Sequence, residues 1–191
     1  LLIVSDKTTK RLFFALWPDQ ATRELIHGAT RPLVKGAGGR AVPAENFHIT
    51  LKFLGSVPES SEACVQRAAG NVRGRRFELL LDNFGFWPEP QVAWLGTSDV
   101  PDALTALVAD LLTELGSCGF EHTSRPFKPH LTLARNVRNP GQFAAPEPLN
   151  WAVEDFVLVE STTTPQGATY QIVERWALAD PAEPKRAVRR K

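Results

Sequence analysis

The feature that most constrains this chain is a tetrapeptide that occurs twice, His48-Ile49-Thr50-Leu51 and His130-Leu131-Thr132-Leu133. In the first copy Phe47, Ile49, Leu51 and Phe53 are apolar, and His48, Thr50 and Lys52 alternate with them. That is the period of a strand buried on one face, so His48 and Thr50 share the other. The second copy places Leu131 and Leu133 on one side and His130 and Thr132 on the opposite one. Each strand thus displays an imidazole, a general acid or base near neutral pH, beside a hydroxyl that can donate a hydrogen bond. Turn chemistry announces both copies, through Pro43-Ala44-Glu45-Asn46 and Arg125-Pro126-Phe127-Lys128-Pro129. A lone His on a strand is more often packed or solvated; two copies with Leu in the same place argue for a shared task.

The rest of the chain reads as strands mixed with a few helices. Arg11 to Trp17 is a strand ended by Pro18. Asp19 is placed as an N-cap before Ala21, Leu25, Ile26 and Ala29 at helical spacing. Gly36-Ala37-Gly38-Gly39-Arg40 reads as a flexible connection, without the spacing of a phosphate-binding loop. Pro58 to Val72 is predicted as a second helix. Arg76 to Phe86 and Gln91 to Thr97 are predicted as two strands of a hairpin around Trp87-Pro88-Glu89-Pro90. Pro101 to Leu115 is the clearest helix, with Leu104, Leu107, Val108, Leu111, Leu112 and Leu115 as its apolar stripe and Gly116 as its stop. A loop over Asn136 to Asn150 and strands over Trp151 to Glu160 and Thr169 to Leu178 complete an α+β pattern with antiparallel sheets.

These residues resemble the two-histidine phosphoesterase superfamily, and within it the RNA 2′,3′-cyclic phosphodiesterases, also called 2′-5′ RNA ligases. Besides the motifs, the likeness runs through Arg11-Leu12-Phe13-Phe14-Ala15-Leu16, Glu45-Asn46-Phe47 and Phe127-Lys128-Pro129, which precedes His130. Weaker matches are Val92 to Gly96, Leu158 to Ser161 and Tyr170 to Trp176. The chain departs at Ala41, where relatives often carry Trp after the Arg matched by Arg40. The resemblance implies two pseudo-symmetric lobes whose antiparallel sheets face a central cleft, with helices outside. Residues 1–184 are then one bilobal domain and 185–191 a basic tail, read as a disordered solubilising end.

The implied activity is hydrolysis of RNA 2′,3′-cyclic phosphate ends to 2′-phosphomonoesters. His48 is implied as proton donor to the leaving oxygen and His130 as proton acceptor from water, with Thr50 and Thr132 holding phosphate oxygens. Arg135 matches a phosphate-contacting position, although strict alternation puts it opposite His130 unless the strand ends, twists or bulges. Lys52 falls on the His48 face by the same counting and is a secondary substrate-binding candidate. His27 and His122 lie outside the motifs and read as surface residues. No metal and no cofactor is called for, because no His, Cys, Asp and Glu cluster has ligand spacing. The alternatives are ATP-independent 2′-5′ joining of RNA ends at the same site, or RNA-end binding without turnover.

The expected partner is an RNA with a 2′,3′-cyclic phosphate end, tRNA fragments included, with no membrane and no obligate protein partner. Leu1-Leu2-Ile3-Val4 is too short for a signal or membrane segment, which reads as cytoplasmic. Cys64 and Cys118 are expected as reduced thiols. The net charge is +1, yet Lys185 to Lys191 hold five basic residues, so the remaining body is net −4. Phosphate attraction is therefore expected to be local to the cleft or lent by the tail.

Overall fold

A computed structural model of the chain describes residues 8–120, 126–138, 147–164 and 167–180. In order, the elements are β1 (Thr9–Leu16), α1 (Gln20–Ala37), β2 (Arg40–Ala41), a short 3-10 turn (Ala44–Asn46), β3 (Ile49–Pro58), α2 (Glu59–Asn71) and β4 (Phe77–Leu81). There follow β5 (Asn83–Trp87), β6 (Val92–Gly96), α3 (Asp102–Gly116), β7 (His130–Arg135), β8 (Leu149–Val153), β9 (Asp155–Thr164) and β10 (Gly167–Ala177). The named strands pair antiparallel throughout, in the order β10-β9-β1-β3-β7-β6-β5 with β2 added to β7, and β4 pairs separately with β8. The α+β architecture is thus the expected one. Its two half-sheets meet where β3 and β7 share one pair, Ile49 with Leu131.

Local chemistry explains most boundaries. The Asp19 carboxylate accepts from the Thr22 amide at 2.8 Å and satisfies one of the free N–H groups that open α1. This helix runs further than its sequence reading: Ala37 is buried against Ala93, Ala134 and Val137, and the chain turns only at Gly38, whose φ of 66° suits glycine. Leu25 points outward, and the buried side instead carries Ile26, Thr30 and Ala37. The predicted strand over Arg76 to Phe86 divides at Asp82, whose carboxylate accepts from the Ser98 amide and hydroxyl. Its first part pairs with β8 and its second with β6. Gly116 is the last helical residue of α3 rather than its stop, and the left-handed residue is Gly119.

The α2–α3 layer covers one face of the sheet. Leu104, Leu107, Leu111 and Leu115 of α3 join Val65 and Ala68 of α2, Phe14 and Leu16 of β1, and both Ile49 and Leu131 in the main core. That layer also overturns the expectation of reduced thiols: Cys64 and Cys118 form a disulfide, with Cα atoms 5.9 Å apart. Helix packing brings them together across 54 residues of sequence, a proximity that spacing cannot reveal. No described helix is long and apolar enough to cross a membrane. Leu1 to Val4, His122 and the basic tail lie outside the described residues.

Candidate active site

Ile49 and Leu131 are fully buried and point into the core, so the residues on either side of them point to the opposite face. Continuing the register of that pair sets His48 across from Thr132 and Thr50 across from His130. The motifs therefore cross, each imidazole facing the other strand's hydroxyl residue. His48 Nδ1 donates to the Asn46 carbonyl at 2.7 Å, and His130 Nδ1 donates to the Lys128 carbonyl at 2.8 Å. In a neutral ring this fixes the tautomer and leaves the Nε2 lone pair as the reactive end. The 3-10 turn before β3 and the irregular segment before β7 supply these carbonyls.

His48, Thr50, Thr132 and Arg135 line one continuous cleft, and His130 is close enough for its charge to act on His48. Arg135 reaches the cleft because β7 carries a bulge. Trp94 pairs with Thr132 and the adjacent Ala93 with Ala134, so Leu133 is an extra residue. Leu133 and Ala134 are both buried, and the alternation resumes with Arg135 on the His130 side. The guanidinium acts on both histidines.

A bulge in β3 has the opposite consequence for Lys52. Thr50 pairs with Ala15 and Lys52 with Phe14, which makes Leu51 the extra residue. Paired residues share a face, so Lys52 stands with Phe14 on the core side, and it lines neither part of the cleft. Phe53 takes the place the alternation gave to Lys52: it pairs with Phe13, faces the cleft, and is 46% exposed beneath the Arg11 guanidinium. His27 is exposed on α1, as expected of a residue outside the motifs.

Several cleft residues were not singled out by the motifs. Phe13, Ala15 and Trp17 alternate along the end of β1 and so turn toward His48, a pattern visible in the sequence once that face is known. Trp17 stacks on the His48 ring at 5.2 Å with an interplanar angle of 3°, and Phe13 and Tyr170 approach it at 5.0 and 5.2 Å. His130 meets the edge of Trp87 at 4.5 Å. Arg40 is paired with Arg135 across β2 and β7 and lines both parts of the cleft.

These surroundings set the protonation of the site. Exclusion of solvent pushes His48 down from the ordinary 6.5 to about 4; the Asn46 carbonyl opposes this, while Arg135 and His130 add to it. Burial also lowers His130, again with Arg135 contributing and the Lys128 carbonyl opposing. At neutral pH the cleft therefore presents two uncharged imidazoles beside guanidinium groups, an arrangement that attracts an anion. Among the described residues no group of three or more His, Cys, Asp or Glu side chains is placed to hold a metal ion.

Comparison with known proteins gives one family. Residues 17–165 match the model of the 2′-5′ RNA ligase superfamily. The RNA 2′,3′-cyclic phosphodiesterase of Escherichia coli K12 is 36% identical over 172 residues, spanning 88% of this chain and 97% of that protein. The protein of the same name from Archaeoglobus fulgidus is 32% identical over 171 residues, spanning 84% and 96%. The crystal structure of E. coli LigT complexed with 3′-AMP superposes with a TM-score of 0.82 at 34% identity, covering 90% of this chain and 99% of that one. LigT complexed with phosphate superposes at 0.79 with 32% identity, covering 90% and 98%. With a family model matched over most of its length and relatives above 30% identity covered almost from end to end, the chain belongs to the 2′-5′ RNA ligase superfamily.

Proposed function

We propose that this protein hydrolyses the 2′,3′-cyclic phosphate at the end of an RNA chain, with His48 and His130 as its acid–base pair and 2′-phosphate as its product. The observation that carries this reading is the crossed pair of imidazoles, each with Nδ1 tied to a backbone carbonyl and Nε2 left available, with Arg135 acting on both. Relatives covering most of the chain, named RNA 2′,3′-cyclic phosphodiesterases, support the substrate class.

In this mechanism the cyclic phosphate sits between the two strands, its non-bridging oxygens taking hydrogen bonds from the Thr50 and Thr132 hydroxyls and charge from Arg135. His130 Nε2 accepts a proton from water, whose oxygen attacks phosphorus. The bond to the ribose 3′-oxygen breaks, and protonated His48 Nε2 gives that oxygen its proton. Water and cyclic diester thus become a 2′-phosphomonoester and a free 3′-hydroxyl. A ribose alkoxide leaves badly without a proton, and each of the two proton transfers is worth on the order of 10² to 10⁴ in rate. The two hydroxyls and the guanidinium act as fixed donors to charge that shifts in the transition state.

His48 must carry a proton to act as the acid, yet burial among aromatic rings lowers its pKa to about 4. The bound phosphate restores the proton, because it brings a negative charge beside the ring in a water-poor site where that charge is weakly screened. The donor chemistry of the cleft, imidazoles and guanidinium groups without a carboxylate cluster, fits turnover that survives exhaustive chelation.

The test is to incubate chelator-treated protein with an oligonucleotide ending in a 2′,3′-cyclic phosphate and to assign the product by phosphorus NMR. A dominant 2′-phosphomonoester is expected. Predominant 3′-phosphate would reject His48 as the acid at the 3′-oxygen, and turnover that returns only with added divalent metal would reject the metal-independent mechanism.

A further inference from the structure

We infer that the face of α1 carrying His27, Arg31 and Lys35 is a track for the phosphodiester backbone of an RNA whose end occupies the cleft; this rests on the substrate class proposed above. The three residues recur at every fourth position, which on a helix makes one ridge with a rise of about 6 Å per step. All three are exposed and border one groove. Among the described residues none of them is engaged in a salt bridge.

Continuity with the cleft is what gives the ridge an occupant. Ala41 and Val42 form one wall of this groove and also line the cleft, on the side where Arg40 and Arg135 stand. The residues that groove and cleft share thus carry a methyl and an isopropyl group, the small side chains over which an RNA chain would pass. Beyond it the groove floor is apolar, built from Val34, Phe47 and Leu133, and suits the face of a base or ribose while the cations above take phosphates. The acids on the adjoining elements do not line it: Glu24 is hydrogen-bonded to Gln20 at 2.9 Å toward the other end of α1, and Glu45 belongs to the 3-10 turn. In a body whose net charge is acidic without its tail, a row of cations leading to a phosphate site is a local electrostatic feature of the kind that guides a polyanion.

The experiment compares wild type with an Arg31→Ala/Lys35→Ala double variant. The probes are a nucleoside 2′,3′-cyclic monophosphate and a fluorescein-labelled decanucleotide RNA ending in a 2′,3′-cyclic phosphate. Turnover and fluorescence anisotropy are followed from about 50 to 200 mM salt, the range in which phosphate contacts are most visible. The double variant is expected to raise the decanucleotide KM and Kd about tenfold at the low-salt end. Its log Kd against log salt slope should fall by about 1.4, the loss of two single-strand phosphate contacts. Both kcat and the monophosphate kcat/KM should match wild type. An unchanged decanucleotide KM and salt slope would overturn the track, as would an equal loss of slope in an Arg67→Ala/Arg73→Ala control, two exposed cations at α2 that line neither cleft nor groove. If wild type turns over neither probe, the proposed reaction fails while anisotropy still decides the track: a reduced slope in the double variant upholds it, and an unchanged slope rejects it.

Discussion

His48 and His130 are held by the same backbone device, Nδ1 to the carbonyl two residues back, yet among the described residues Phe13, Trp17 and Tyr170 enclose the first ring while a single aromatic ring, Trp87, meets the second. The shared device fixes tautomer and direction. The unequal surroundings fix how readily each ring takes a proton, since water stabilises an imidazolium and aromatic walls exclude water. Two copies of one motif can thereby serve different steps without any change in the motif itself.

The strongest way to break this comparison is to delete each imidazole. His48→Ala and His130→Ala should each lower kcat on a 2′,3′-cyclic phosphate oligonucleotide by on the order of 10³ or more, with circular dichroism unchanged. A variant retaining most of its turnover would show that its ring is a bystander, and the symmetry of the motifs would be of the fold alone.

Changing the surroundings should move the protonation and spare the chemistry. The pair titrates in two steps, and the acid limb of kcat/KM follows the lower one. Trp17→Ala admits water beside His48, so its pKa should climb from about 4 toward 6.5 and carry the acid limb upward by about one unit. Trp87→Ala should leave that limb in place. An acid limb that ignores Trp17 and follows Trp87 would assign the lower step to His130.

The smallest effect sharpens the two bulges. Arg135→Ala should cost roughly 10- to 100-fold in kcat/KM through lost phosphate contact, whereas Lys52→Ala should stay within about twofold. Comparable losses from both would mean that Lys52 reaches the substrate despite its pairing with Phe14.

The sequence made the candidate pair and its strands legible because a two-residue period survives wherever one strand face is buried. It did so only locally. Parity fails at each inserted residue, so counting carried Lys52 into the cleft and left Arg135 outside until Leu51 and Leu133 were seen as bulges. Likewise, the length of α1 depends on what Ala37 packs against, and the cysteine pair on how α2 meets α3. Those are contacts between distant segments, and no local pattern encodes them. The cations of α1 were visible as residues, but their alignment required the helix to continue through Lys35.

The single rung between Ile49 and Leu131 also has a meaning for assembly. It is one pair, where the ladders on either side, β1 with β3 and β6 with β7, are longer. A seam of one pair returns little for the chain entropy it costs until both half-sheets exist. The cleft is accordingly expected among the last features a refolding chain acquires. Regain of turnover reports the docking of the two halves, after most of the backbone order measured by far-ultraviolet ellipticity has returned.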